Sequence, residues 1–358
     1  MKRLDYKIRE SFIPAILNRA YSCTDLNRRI FALPARDGGL SIYNLSETSD
    51  MEYQFSCQAT SGLTEAILNE HTEYREDSQR LKEIKEQIRK TRKEFFKCKR
   101  DEVVSELSLD QKLQLDLAAE KGASSWLTTL PVKEFGYVLN KQEFNDALAL
   151  RYNMNMKDAP RTCFCGEANT MNHLLMCKKG GYVHLRHDSL RDVFAELMRN
   201  AGCKDVHTEP NLLKTDGAQL PAGSNTKDDA RVDISARSFW NPLERALFDV
   251  RVLHPQAPSN RSHKDIASMY QHHENEKKRH YNARILQIEK ATFSPLVFTT
   301  TGGMAPEAQK VLKRLAEKTS RRKNQRYCDV MTFLRRRLRF DLLRTTIISL
   351  RGYSTLLK

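Results

Sequence analysis

Residues 163–177, CFCGEANTMNHLLMC, set three thiols and one imidazole within fifteen positions: Cys163, Cys165, His173 and Cys177. A stretch this short has too little apolar surface to order itself by burial, whereas four S/N ligands on one Zn²⁺ can order it. Cys₃His is among the usual ligand sets of structural zinc. The first pair is tight, because only Phe164 separates the two cysteines where two or more residues are usual. The spacing predicts a small zinc knuckle ligated by these four side chains. The plainer alternative is a set of buried thiols with no common partner.

The remaining composition narrows the class of protein. Eight cysteines in 358 residues could suggest a disulfide framework, but Cys23, Cys57, Cys98 and Cys328 are scattered and no secretory leader pattern is present. No apolar run approaches the roughly 18–20 residues that span a bilayer, so no membrane partner is expected. Sixty Lys and Arg against 45 Asp and Glu give a formal charge of +15, and the basic residues are clustered. A polyanion, most simply nucleic acid, is the expected partner.

Along the chain, RESFIPAILNRAYSC has the apolar spacing of a short helix, and ALPARDGGLSIYNL predicts a turn at Pro34 and Gly38–Gly39 before a short strand. From 47 to 121 the chain is charge-dense, with Leu81, Ile84 and Ile88 at helical spacing, which predicts a long exposed helix or a helical hairpin. Trp126, Leu127, Leu130, Phe135, Tyr137 and Leu139 suggest a small core, followed by a helix in QEFNDALALRY. The order predicted over 185–301 is helix, strand, strand, strand, helix, strand, with strands near 206–213, 230–236, 245–253 and 294–303. Two basic helical stretches follow, one containing Arg335, Arg336 and Arg337, whose guanidinium forks suit backbone phosphates.

Asp233 and Asp249 each lie in a strand-like run, and alternation can bring them to one face of a sheet. Two converging carboxylates make a hard oxygen site suited to Mg²⁺, an ion that lowers the pKa of bound water beside a scissile phosphodiester. A nearby ammonium would stabilise the developing charge. Lys277 is the leading candidate, with Lys278 and Arg251 as rivals, Glu209 as a further metal ligand and Tyr281 on the same helix face as Lys277. The competing view is that these aspartates pair with the many arginines and that the lysines are solvated. His272, His273 and His280 read as surface histidines.

In this order, the pieces resemble the C-terminal region of non-LTR retrotransposon reverse transcriptases that carry a restriction-like endonuclease. The resemblance rests on the Cys163, Cys165, His173, Cys177 knuckle, RHD at 186–188, Glu209, Asp233 in RVDI, Asp249 in FDVRV, and Lys277 with Tyr281 in EKKRHY. FIPAIL and ALPARDGGLSI look like the stretch just beyond the polymerase palm. Three positions depart from the pattern: Val232 stands where proline precedes the first aspartate, the knuckle is one residue short, and His280 stands where a second lysine is frequent. The resemblance implies an α/β C-terminal half with a PD-(D/E)XK core, a mostly α-helical N-terminal half and a small zinc knuckle. It implies five segments: 1–46 after the palm, a charged helical linker at 47–121, a helical region with the knuckle at 122–184, the nuclease core at 185–303, and a basic helical tail at 304–358. It implies Mg²⁺-dependent nicking of target DNA by Asp233, Asp249 and Lys277 with Glu209 and Tyr281, and structural Zn²⁺; DNA contacts are expected from Arg186 and His187, and from Arg335–Arg337 on their guanidinium chemistry. DNA and the element's RNA are then the partners and the nucleus the compartment. No polymerase Tyr/Ala-x-Asp-Asp signature occurs in this chain, so polymerisation is not expected of it. An inactive nucleic-acid-binding remnant, or an adaptor that keeps fold and zinc, is the alternative.

Overall fold

The computed structural model describes residues 1–17, 21–71, 77–156 and 161–352, and the chain divides into two compact units, Met1–Ala119 and Glu120–Lys358. The first unit is helical. Its Asp25–Ala32 helix starts at Thr24, whose hydroxyl accepts the Asn27 N–H and so satisfies one of the free donors of the first turn. The predicted turn follows, with Gly38 at φ +96°, and a Cβ on Gly39 would stand 1.9 Å from the Leu33 carbonyl oxygen. Only glycine fits that approach. The short strand expected next does not form. Leu40 and Ile42 instead donate to the Phe31 carbonyl at the end of the helix, which uses up the donors a strand would need.

Among the described residues the charge-dense stretch forms three helices, Leu45–Leu68, Ser78–Glu106 and Leu109–Ala119, the first two lying antiparallel as a hairpin. Glu47 pairs with Lys99 at 3.1 Å and Glu52 with Arg92 at 2.5 Å. Such half-exposed pairs contribute roughly 0–1 kcal/mol each. Phe55 and Phe96 are buried along the hairpin, and Val103 is buried against Leu33, Leu107 and Leu115. Residues 18–20, at the end of the first predicted helix, lie outside the described residues.

In the second unit a four-stranded sheet is ordered β1-β2-β3-β4, with β1 Lys204–Thr208, β2 Ile234–Arg237, β3 Arg245–Leu253 and β4 Thr292–Thr299. β1, β2 and β3 are antiparallel neighbours, and β4 runs parallel to β3 after the crossover helix Ile266–Arg284. With the helix Tyr182–Asn200 in front, the predicted element order is the observed one. A mixed α/β second unit follows a mostly helical first unit, which agrees with the coarse division expected.

Alternation along β3 assigns its faces. Ala246, Phe248 and Val250 join the main core with Ile234, Ala236, Phe194 and Phe298. Leu247 and Leu253 point to the other side, into smaller clusters that include Ile285 in one case and Met269 in the other. Period two therefore turns Asp249 and Arg251 toward the crossover helix.

The segment from 304 is not a tail. Its helices Pro306–Lys323 and Tyr327–Arg351 are core elements, with Val311, Leu312, Leu315, Val330, Leu334, Leu338 and Leu342 all buried in the main cluster. Val330, Leu334, Leu338 and Leu342 recur every four residues, an apolar stripe that the surrounding arginines disguise. Residues 353–358 lie outside the described residues. The small core around Trp126 is also narrower than its sequence suggests. Trp126 and Tyr137 are buried, whereas Leu130 and Phe135 are 77% and 57% exposed.

Candidate functional site

The knuckle closes as its spacing predicts. Gly166, at φ +94°, donates to the Cys163 carbonyl, and Cys163 N–H donates to Glu167, so a tight turn carries Cys163 and Cys165. The short helix Met171–Met176, capped by the Thr170 side chain on the His173 N–H, presents His173 and leads directly into Cys177. The four ligand atoms lie within 4.8 Å of one another. Cys163 Sγ and Cys177 Sγ are 3.8 Å apart, and Cys165 Sγ is 3.2 Å from His173 Nε2. Two sulfurs about 2.3 Å from a tetrahedral zinc are separated by about 3.8 Å, so the spacing fits that ion. Burial pushes the Cys163 thiol up to about 11, a cost that a bound cation would offset by stabilising the thiolate. The tight Cys-Phe-Cys pair is no obstacle to this geometry.

The second constellation is built by strand register. Ile234 pairs with Phe248 at that end of the β2–β3 ladder, and Asp233, the residue just before β2, reaches the Val250 N–H beside Asp249. Because Ile234 and Phe248 share the main core, the two aspartates share the opposite face. Asp249 is only 4% exposed and receives the Lys277 ammonium from the crossover helix. Burial raises the pKa of Asp249 and the nearby Asp233 charge adds to the rise, against the pull of Lys277. Asp233 Oδ2 accepts the Val250 N–H at 2.5 Å and lies 3.2 Å from His187 Nε2, while His187 Nδ1 lies 3.1 Å from Asp188. Burial opposes a charge on His187, but the hydrogen bonds and charges of Asp233 and Asp188 outweigh it and raise its pKa to about 9. Tyr281, one turn after Lys277, donates to the Arg231 carbonyl at 3.2 Å, and the Lys277 ammonium lies 5.9 Å from its ring centre. Burial, Asp249 and Asp233 all push the Tyr281 phenol upward.

Lys277 is thus the member of its trio that meets Asp249; Lys278 binds Glu307 and Arg251 binds Glu276. A cleft of about 860 Å³ lies here, lined among others by His184, His187, Arg251, Lys277, Arg279 and Tyr281. Two carboxylates with a protein ammonium as their counter-cation match the donor chemistry of a hard divalent ion such as Mg²⁺.

Two expected site residues are placed otherwise. Arg186 is 1% exposed and donates to the Leu175 carbonyl, so it ties the Tyr182–Asn200 helix to the knuckle helix and presents no face to DNA. Burial lowers its pKa to about 10. The Glu209 carboxylate is held by Arg191 and lies 3.9 Å from Arg231, and only its main-chain N–H reaches Asp233. At φ +51° the Glu209 backbone turns out of the strand, which directs its side chain to those arginines. Arg335, Arg336 and Arg337 are half-buried on the Tyr327–Arg351 helix, with Arg337 3.5 Å from Glu196.

Sequence reasoning missed a third group. His272, His273 and Glu276 place three ligand atoms within 4.8 Å of one another and are able to hold a metal ion, and His273 is buried rather than a surface histidine. The i, i+3 and i, i+4 spacing to Glu276 was the available signal. Among the described residues no helix is long and apolar enough to cross a membrane. No protein-family model matches the chain, and no curated protein matches it.

Proposed function

We propose that the second unit is a Mg²⁺-dependent DNA nickase with a PD-(D/E)XK core, the C-terminal part of a non-LTR retrotransposon polyprotein. The observation that carries this reading is the nearness of Asp233, held on the Val250 N–H, to the buried Asp249, with the Lys277 ammonium on Asp249, beside a cleft with basic walls. Asp233 and Asp249 would hold the ion, which supplies Lewis acidity and a water of lowered pKa. Hydrolysis forms one bond from water oxygen to phosphorus and breaks one ester P–O bond. A proton leaves the water and one reaches the departing oxygen. Lys277 provides positive charge where the phosphoryl oxygens gain negative charge. His187, braced by Asp188, and the Val250 N–H fix the rotamer of Asp233. His184, Arg251 and Arg279 line the path of the phosphate backbone. The knuckle, tied through Arg186 to the helix that bears His187, holds that wall in place.

Purified protein with supercoiled plasmid and Mg²⁺ tests the reading. Nicking should fall about 100-fold or more in Asp233→Ala and in Asp249→Ala. Equal background in all three proteins would reject it. One observation favours the second reading, a non-catalytic nucleic-acid binder: both carboxylates are already engaged by groups of the protein. Under that reading the plasmid stays intact while DNA binding persists and weakens steeply with salt.

A further inference from the structure

His272, His273 and Glu276 sit on one face of the Ile266–Arg284 helix, and Glu276 and Arg251 both line the cleft. The state of His273 is fixed by its surroundings. Its Nε2 lies 2.9 Å from Asn260 Oδ1, and Asn260 Nδ2 donates to the His254 carbonyl at 2.9 Å. Reversing that amide would face its oxygen against the carbonyl, so the orientation is set. An amide oxygen only accepts, and Nε2 therefore carries the proton. Nδ1 then carries a lone pair. It is buried without a hydrogen-bond partner and lies 3.6 Å from Glu276 Oε2. A lone pair and a carboxylate oxygen facing each other at this distance lack the cation that would reconcile them.

We propose that His272, His273 Nδ1 and Glu276 form a second metal site, separate from the knuckle and from the aspartate pair, that takes a borderline transition ion such as Zn²⁺ and not Mg²⁺. Two imidazoles and one carboxylate suit zinc-like ions, whereas Mg²⁺ wants oxygen ligands throughout. The Asn260 oxygen plays the part of the outer partner that orients a ligating histidine. His263 packs beside the group, its ring centre 4.8 Å from that of His272, and the fourth position is left to water. Arg251 Nη1 already donates to Glu276 at 2.6 Å and competes with the ion, so this site is weaker than the knuckle. The inference stands whether or not Asp233 and Asp249 are catalytic.

Cobalt titration of the metal-stripped full chain, in excess Mg²⁺ to occupy the aspartates, is the test. Thiolate ligation gives cobalt intense charge-transfer absorption, while a His₂Glu set gives only weak d–d bands. Wild type should take up about two equivalents, one of each kind. His272→Ala with Glu276→Gln, both at exposed or half-exposed positions, should take up about one and keep only the thiolate signature. Cys163→Ser with Cys165→Ser should keep only the weak bands. A wild type that binds a single thiolate-ligated ion, or a second equivalent that survives His272→Ala with Glu276→Gln, would overturn the proposal.

Discussion

The Cys163–Cys177 loop and the Asp233–Asp249 pair both gather side chains able to ligate a metal, but they are assembled in opposite ways. The loop draws its four ligands from one turn and one short helix, and their sulfurs already stand at a tetrahedral edge. The aspartates come from neighbouring strands, meet only through register, and are neutralised by Lys277 and His187 of the protein itself. Local ligands depend on their ion for order; distant ligands are held by the fold and depend on it for charge balance.

The sharpest way to break this contrast is to remove the ion from each. Cys163→Ser with Cys165→Ser should abolish binding of about one zinc per chain, read by elemental analysis, and should cost several kcal/mol by chemical denaturation. Asp233→Asn should leave zinc content unchanged. If the double serine protein holds as much zinc as the wild type, the local site has been misassigned.

Next in size is Lys277→Met. It leaves Asp249 buried without its cation and should cost roughly 2–3 kcal/mol at neutral pH, somewhat below a fully buried pair because the lysine is partly exposed. The loss should shrink in acid, as Asp249 takes up a proton, and Lys277→Met with Asp249→Asn should recover most of it. Absence of recovery would mean the lysine stabilises by packing and not by charge.

A third experiment probes the latch between the two regions. His254, just past β3, lies 3.0 Å from Asn172 Oδ1 on the knuckle helix and 3.0 Å from Thr300 Oγ1. Burial lowers its pKa to about 4, from 6.5 in the unfolded chain. The unfolded state therefore binds the proton first, so stability is complete above about pH 6.5 and is lost as pH falls toward 4. The share due to His254 should reach roughly 2 kcal/mol by pH 5 and vanish in His254→Gln. Identical pH profiles for the two proteins would remove the latch. The smallest effect is expected from Arg336→Ala on the half-buried basic helix. Stability should move by less than about 0.5 kcal/mol, and the salt slope of DNA binding should drop by about one contact if that face meets phosphate.

How much of this could be read from the sequence follows from the same contrast. The knuckle was legible because its ligands are close in the chain, and β3 was legible to the residue because RALFDVRVL is a mostly apolar run with strand-forming Phe248, Val250 and Val252. The meeting of Asp233 with Asp249 could only be conjectured, since the irregular connection at 238–244 between β2 and β3, with Ser238 and Leu243 at positive φ, hides the register that decides it. Arg186 misled because a charged residue beside two other polar ones looks exposed, although the helix turns it inward. Glu209 misled because its left-handed backbone carries no sequence mark. His273 misled because Asn260, which orients it, is thirteen positions away in a loop.

The Tyr327–Arg351 helix completes the main core, yet it is synthesised more than a hundred residues after β2 begins. At ordinary elongation rates of about 5–20 residues per second, Ile234, Phe248 and Val250 wait on the order of ten seconds for that cover. Until then the emerging sheet offers a bare apolar flank to anything sticky nearby. Timing on the ribosome, as much as equilibrium stability, then governs how much of this chain reaches its native form.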